Sequence, residues 1–248
     1  TESFDDLYTS YESDGSVPRK TIGAQELFLD ILKERAETGR LYIMNIDHCN
    51  SHSSFLDKVE MSNLCQEITL PTKPLEHIDD PNGEIALCIL SAVNVGKIRD
   101  LDDLKVLCDL AVRSLDELID FQNYPINAAE IATKARRSLG IGFIGLAHYL
   151  AKHGHDYNDP GAWQLVHNLT EAFQYYLISA TVDLAEEKGA CEYSSRTKYG
   201  NGILPIDTYK HDVDEIVPNE LHYDWEDLRL RVKKHGVRNS TLSAQMPS

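Results

Sequence analysis

The run Ser62-Asn63-Leu64-Cys65-Gln66-Glu67 holds the densest chemistry in the sequence, with an amide, a thiol and a carboxylate at every second position. In an extended backbone, alternate side chains share a face about 6.5–7 Å apart. Asn63, Cys65 and Glu67 would then project together while Leu64 and Gln66 point away. Such a face can donate and accept hydrogen bonds through the amide, present a thiol and take a proton on the carboxylate. A half-exposed strand with polar residues on its wet side has the same spacing, so the pattern alone does not decide. Cys88 follows in the apolar run Ile85-Ala86-Leu87-Cys88-Ile89-Leu90. It reads either as a small buried hydrophobe or as a redox thiol beside the first site.

Three weaker constellations compete. Gly140-Ile141-Gly142-Phe143-Ile144-Gly145 matches the dinucleotide pattern G-x-G-x-x-G. It follows a basic Lys134-Ala135-Arg136-Arg137-Ser138 segment where that fingerprint needs an apolar strand, so close helix–strand packing is the better reading. His48, Cys49 and His52 lack the second ligand pair of a closed metal site and read as loop capping; no metal is expected. Tyr175 and Tyr176, adjacent in a helix, face different directions and read as packing and rim. His153 and His155 read as solvated turn residues.

The elements that must position these residues follow from periodicity. Ala24, Leu27, Phe28, Ile31 and Leu32 predict a helix ending near Gly39. A short strand is expected at 41–46, loop chemistry at 47–54, a second extended stretch at 62–71, a turn region at 71–83 and a doubly buried strand at 85–90. Asp100 reads as the N-cap of a helix to about Gln122, with Leu104, Leu107, Cys108, Ala111, Leu115 and Leu118 inward. Further helices are expected at 127–137, from Trp163 to Lys188 with Gly189 as its stop, and from Trp225 to His235, before a terminal strand at 238–246. Strands alternating with helices of 10–25 residues mean an α/β domain with a largely parallel sheet. Residues 1–20 form a polar lead-in, mobile or packed against something outside the chain, and 21–248 the domain proper.

Composition narrows the function classes. With 24 Lys plus Arg against 40 Asp plus Glu, the net charge of −16 argues against a general nucleic-acid binder. No apolar run approaches the ~20 residues of a membrane span, and the acidic N-terminal stretch lacks a signal-peptide core. Five dispersed cysteines read as reduced intracellular thiols, placing the protein in the cytoplasm. The chain starts at Thr1 without Met and stops after a strand-like run, as a piece of a longer polypeptide would.

In order, the segments NIDHCNSHS, SNLCQEITLPTKPL, NGEIALCILSAVNVG, RRSLGIGFIGLAHYLA, GILPIDTY, LHYDWEDLR and HGVRNSTLSAQMPS resemble the catalytic subunit of class I ribonucleotide reductase, most closely its bacterial and bacteriophage branch. The resemblance implies a ten-stranded α/β barrel of two antiparallel halves, with an inward finger loop carrying the radical cysteine. It implies that Cys65 is that cysteine, whose thiyl radical removes the ribose 3′-hydrogen. Glu67 would take the 3′-hydroxyl proton and Asn63 would hydrogen-bond the ribose hydroxyls, with Ser62 to Glu67, including Leu64 and Gln66, lining the sugar pocket. Cys88 would be one of two thiols that reduce the radical intermediate and become a disulfide.

The same resemblance implies that Pro247 and Ser248 only begin the diphosphate-holding loop. The second reducing cysteine, the activity cone, the ATP/dNTP allosteric sites, the radical-relay tyrosine pair (which Tyr175-Tyr176 does not match) and the C-terminal redox cysteines all fall outside residues 1–248. The implied function is thioredoxin- or glutaredoxin-dependent reduction of ribonucleoside diphosphates for DNA synthesis, by a central fragment inactive without its flanking segments. The implied partners are those segments and a metal-containing small subunit that supplies the radical; no cofactor is held by this segment. Two other readings stay open: a structural segment whose N-x-C-x-E face has lost its chemistry, and a glycyl-radical reductase, which needs a C-terminal glycine loop that this sequence lacks.

Overall fold

The computed structural model describes residues 2–218 and 220–243. Two units are distinguished, one up to Met44 and one from Asn45 onward. In the first, the polar lead-in forms helix α1 (Glu2–Ser13), and α2 spans Ala24–Thr38. The second helix ends at Gly39, as its periodicity predicts, because Gly39 adopts φ 65° and its N–H closes on the Arg35 carbonyl. None of the α2 side chains is buried. The strand expected at 41–46 does not form. That apolar run has no neighbouring strand among the described residues, and its last residue opens a helix instead.

The second unit begins with that helix, α3 (Ile46–His52), in place of the loop expected there. Asn50 explains the difference. Its amide donates to the Ile46 and Val59 carbonyls at 3.0 and 2.8 Å and accepts from the Val59 N–H at 2.8 Å, clamping the turn to the following chain. The sheet is built on β1 (Ile89–Asn94) and β2 (Leu139–Ile144), which pair in parallel with Ile89 opposite Leu139. Between them run α4 (Asp103–Phe121) and α5 (Asn127–Arg136). Strand β1 starts four residues later than the apolar run at 85–90 suggests. Ile85 donates to the Ala128 carbonyl, so the first half of the run lies along α5 and pairing begins only at Ile89. The chain then forms α6 (Leu146–Lys152), α7 (Pro160–Lys188), α8 (Pro205–Thr208) and α9 (Trp225–His235).

A third chain segment continues the sheet beyond β2. Leu139 and Ile141 donate to the Thr241 and Leu242 carbonyls at 3.1 and 2.8 Å, and Ser243 bridges Ile141 in parallel. This is the described portion of the terminal strand expected at 238–246; residues 244–246 lie outside it. The parallel α/β layering is as expected, whereas no closed barrel is present among the described residues.

The core lies between the sheet and the pair α4 and α7, around Leu104, Cys108, Leu139, Ile141, Leu169 and Leu177. The inward stripe of α4 is Leu104, Cys108, Val112, Leu115 and Ile119. Leu107 and Leu118, expected inward, are exposed, and Leu107 joins Val106 and Ala111 along an open cavity of about 670 Å³ beside β1. Leu104, Cys108 and Leu115 face inward as expected, while Val112 and Ile119 take the inward places expected of Ala111 and Leu118, because the flank of α4 is apolar as well. The N-cap of α4 is Asp102 and not the predicted Asp100, whose carboxylate instead accepts from the Asp102 and Asp103 N–H groups in the turn before the helix.

In the G-x-G-x-x-G run, Gly145 serves close packing. Gly140 and Gly142 lie inside β2, and Gly145 caps α6 at φ 80°. A Cβ there would stand 2.6 Å from Asn94 Oδ1 and 3.1 Å from the Gly96 nitrogen. Gly145→Ala should therefore lower the unfolding free energy by about 2 kcal/mol through combined left-handed strain and overpacking, read by urea denaturation.

Two buried thiols make stability depend on alkaline pH. Cys108 and Cys191 are shut in the core, and burial pushes them from the usual 9.0 up to about 12 and about 11. Above pH 9 the unfolded chain releases these protons while the folded chain retains them. Stability is thus full below pH 9 and falls as pH rises through 9 to about 11, by about 1.4 kcal/mol per pH unit and thiol. Urea unfolding at pH 10 should show about 3 kcal/mol less from this pair than at pH 8, and Cys108→Ala should remove about half of that difference.

Candidate active site

The segment that carries the amide, thiol and carboxylate is a tight turn, which corrects the extended face expected from alternation. Gln66 sits at φ 59°, its N–H donates to the Asn63 carbonyl at 3.1 Å, and Leu64 and Cys65 form the corner. The Asn63 side chain closes the turn. Its Oδ1 accepts from the Ile68 N–H at 3.2 Å and its Nδ2 donates to Glu67 Oε1 at 2.6 Å. Ser62 Oγ donates to the Ile68 carbonyl at 2.7 Å. Of the three residues that alternation puts on one face, Asn63 and Glu67 meet because the chain folds back on itself, and Cys65 is left outside at the corner.

Glu67 uses only one of its two carboxylate oxygens in the turn. Its Oε2 is buried and has no hydrogen-bond partner among the described residues. An orphaned carboxylate oxygen is costly in a fold and marks a place where a donor is missing. The same residue lines a cavity of about 190 Å³ together with Cys88, Ser54, Tyr199, Thr241 and Ser243. Burial first, and the Glu67 carboxylate second, push the Cys88 thiol up to about 12. Cys88 is therefore a protonated thiol at neutral pH, suited to giving up hydrogen and electrons and poorly suited to nucleophilic attack.

Cys65 is placed differently. It is exposed at the corner of the turn beside Leu64, which is 85% exposed, and it does not line that cavity. All five cysteines are free thiols. The structure thus brings Asn63, Glu67 and Cys88 together, with Ser62 and Gln66 as supports, and leaves Cys65 and Leu64 facing outward. Pro247 and Ser248 lie outside the described residues. Ser54, Tyr199 and Thr241 reach the cavity from distant parts of the chain, and no local sequence signal marks them.

Among the described residues no group of three His, Cys, Asp or Glu side chains is disposed to hold a metal ion. His52 is used otherwise, with Nδ1 2.9 Å from the Thr208 carbonyl oxygen. Tyr175 and Tyr176 pack with Tyr223, and Tyr175 also with Trp225, as an aromatic cluster. His155, expected to be solvated, is half-buried and pairs with Asp159 at 2.6 Å. No helix of the described residues is long and apolar enough to cross a membrane.

The family model described as "Ribonucleotide reductase, barrel domain" matches residues 1–248. The chain belongs to this family. It is 56% identical to the ribonucleoside-diphosphate reductase subunit alpha of Haemophilus influenzae and to ribonucleoside-diphosphate reductase 1 subunit alpha of Escherichia coli, each over 100% of this chain and 33% of the relative. Identity to the subunit alpha of Enterobacteria phage T4 is 41%, over 99% of the chain and 32% of the relative. The chain therefore spans about a third of the length of the curated relatives it matches.

Proposed function

We propose that this chain is the part of a ribonucleoside-diphosphate reductase large subunit in which the substrate's ribose is reduced. A thiyl radical on Cys65 takes the hydrogen from C3′, leaving a thiol on sulfur and a radical on carbon. Glu67 receives the proton of the 3′-hydroxyl, and Asn63 holds the ribose hydroxyls. The 2′-hydroxyl leaves as water; Cys88 and a second thiol from outside this chain supply two electrons and two protons and become a disulfide, and the Cys65 thiol returns its hydrogen to C3′, restoring the thiyl radical. The product is a deoxyribonucleoside diphosphate for DNA synthesis. The observation that carries this reading is the buried Glu67 Oε2, without a partner among the described residues, on a carboxylate that Asn63 holds through Oε1 at the wall of a cavity shared with a protonated Cys88.

The chemistry further requires the Cys65 sulfur beside this base, whereas the turn holds Cys65 exposed and off the cavity that Glu67 and Cys88 share. A radical on sulfur is useful only within contact of one C–H bond, with a base beside it. The exposed corner of the turn leaves the Cys65 sulfur open to a ligand. The wider reading is a ten-stranded α/β barrel in which residues 62–67 form an inward finger loop and a diphosphate loop begins at Pro247 and Ser248. It acts in the cytoplasm with the remaining segments of the subunit, a metal-containing small subunit that makes the radical, and thioredoxin or glutaredoxin as reductant. No cofactor is held by residues 1–248, and the ATP/dNTP effector sites lie elsewhere in the subunit. Reduction of CDP by the full-length subunit with its small subunit tests the reading. Activity should vanish in Cys65→Ser; turnover at the wild-type rate in that variant would overturn it and favour a purely structural segment.

A further inference from the structure

Residues 56–83 contain no helix or strand, yet they carry Asn63, Cys65 and Glu67, the side chains proposed to open the reaction on the sugar. A loop of that length is held in place only by its attachments. Both of its feet are short antiparallel bridges, Phe55 with Thr197 and Lys73 with Glu84. One buried side chain joins them. Arg136, the last residue of α5 and 2% exposed, donates from Nη1 to Asp57 Oδ2 at 3.0 Å and from Nη2 to Glu84 Oε2 at 2.8 Å. Asp57 stands at the entry to the loop and Glu84 at its exit.

The rest of the cluster fixes that guanidinium. Its carbon lies 4.9 Å from the Tyr193 ring centroid and 5.8 Å from that of Phe55. Arg196 donates to Asp57 Oδ1 at 3.1 Å, and Lys73 Nζ lies 2.6 Å from Glu84 Oε1. The Arg136 carbonyl accepts from the Ser240 N–H at 3.0 Å, at the start of the segment that pairs with β2. The planar fork therefore ties entry, exit and sheet into one body. A lysine carries the same charge but cannot present two fixed donor edges to two carboxylates.

We infer that Arg136 is a positioning residue for the proposed reduction: by holding both feet of the 56–83 loop it sets the distance from the Asn63–Cys65–Glu67 turn to the sugar. The inference rests on the functional reading above. It gives Arg136 a kinetic role, since a displacement of about 1 Å costs a positioned reaction on the order of 100-fold in rate. Binding of the substrate's diphosphate, which needs anion donors elsewhere, should be spared.

The test uses the full-length subunit with its small subunit, CDP as substrate, and the variants Arg136→Lys, Asp57→Asn and Cys65→Ser. Arg136→Lys should lower kcat about 100-fold with KM within about twofold of wild type. Asp57→Asn should give a smaller kcat loss of the same kind. Amide hydrogen exchange should quicken in residues 56–72 and stay slow in α4 and α7. Wild-type kcat in both positioning variants overturns the inference, as does exchange that quickens equally in α4 and α7, which would mark a general stability role. If Arg136→Lys does not accumulate folded, Asp57→Asn decides. An active Cys65→Ser variant would sink the functional reading itself. An inactive Cys65→Ser beside fully active Arg136→Lys and Asp57→Asn would sink only the role given to Arg136.

Discussion

Cys65→Ser in the full-length subunit should abolish CDP reduction, a loss larger than about 10⁴-fold, while unfolding is unchanged. Removing the group that makes the covalent or radical step itself produces losses of this size. Serine is nearly isosteric, and Cys65 is exposed with no core packing to lose, so stability offers no alternative explanation. The specific chemistry is at stake: an O–H bond is much stronger than S–H, so a serine cannot hold the unpaired electron that sulfur carries reversibly. Glu67→Gln should be milder. It keeps the shape and can keep a hydrogen bond to Asn63, but it removes the carboxylate oxygen proposed to receive a proton, and general-base catalysis contributes about 10²–10⁴-fold. Equal losses in the two variants, or a lowered melting temperature in Cys65→Ser, would contradict the division of roles.

Asp116→Ala should be the most destabilising single change in the chain, costing about 3–5 kcal/mol of a typical domain total of about 5–15. Asp116 is wholly buried on α4 and accepts from Arg137 Nε at 2.6 Å, Asn239 Nδ2 at 3.0 Å and Arg238 Nε at 3.2 Å. Arg137 is the C-cap of α5, held at φ 49°, a left-handed conformation that a bulky residue adopts only when its surroundings impose it. Asn239 also accepts from Thr181 Oγ1 on α7 at 2.9 Å. Alanine would remove one of the four hydrogen bonds of the buried Arg137 guanidinium, one of the two from the buried Asn239 amide nitrogen and the partner of Arg238 Nε, and would loosen the strained cap. The expected readout is a lower urea midpoint with unchanged slope; a shift of less than about 1 kcal/mol would show that the remaining Arg137–Asp120 pair suffices.

Helices were the most legible part of the sequence because their signals are local. The 3.6-residue stripe, Gly39 and Gly236 as stops and the residue chemistry at the caps place α2, α5, α7 and α9 within a few residues. Strand limits were less legible. The apolar run at 85–90 looks continuous, yet only pairing with β2 decides that Ile89 is where the ladder starts. The run at 41–46 shows the same weakness: short apolar segments suit a strand or a helix start equally, and tertiary partners choose.

For the site, the amino-acid order by itself determined the reactive set: an amide, a thiol and a carboxylate within five residues, a later cysteine, and family membership through the succession of motifs. Those depend on residue type and spacing, which the chain carries wherever it folds. Only the tertiary structure decided that Asn63 and Glu67 meet across a turn, that Cys65 stands outward at its corner, and that Cys88 shares a cavity with Glu67. It alone joined Asp57 and Glu84 through Arg136, and Asp116 to Asn239, across separations no local pattern encodes. The physical reason is that the burial, orphaned oxygens and displaced thiol acidity that make a site reactive come from what surrounds a side chain, and those surroundings are assembled from chain segments remote in sequence.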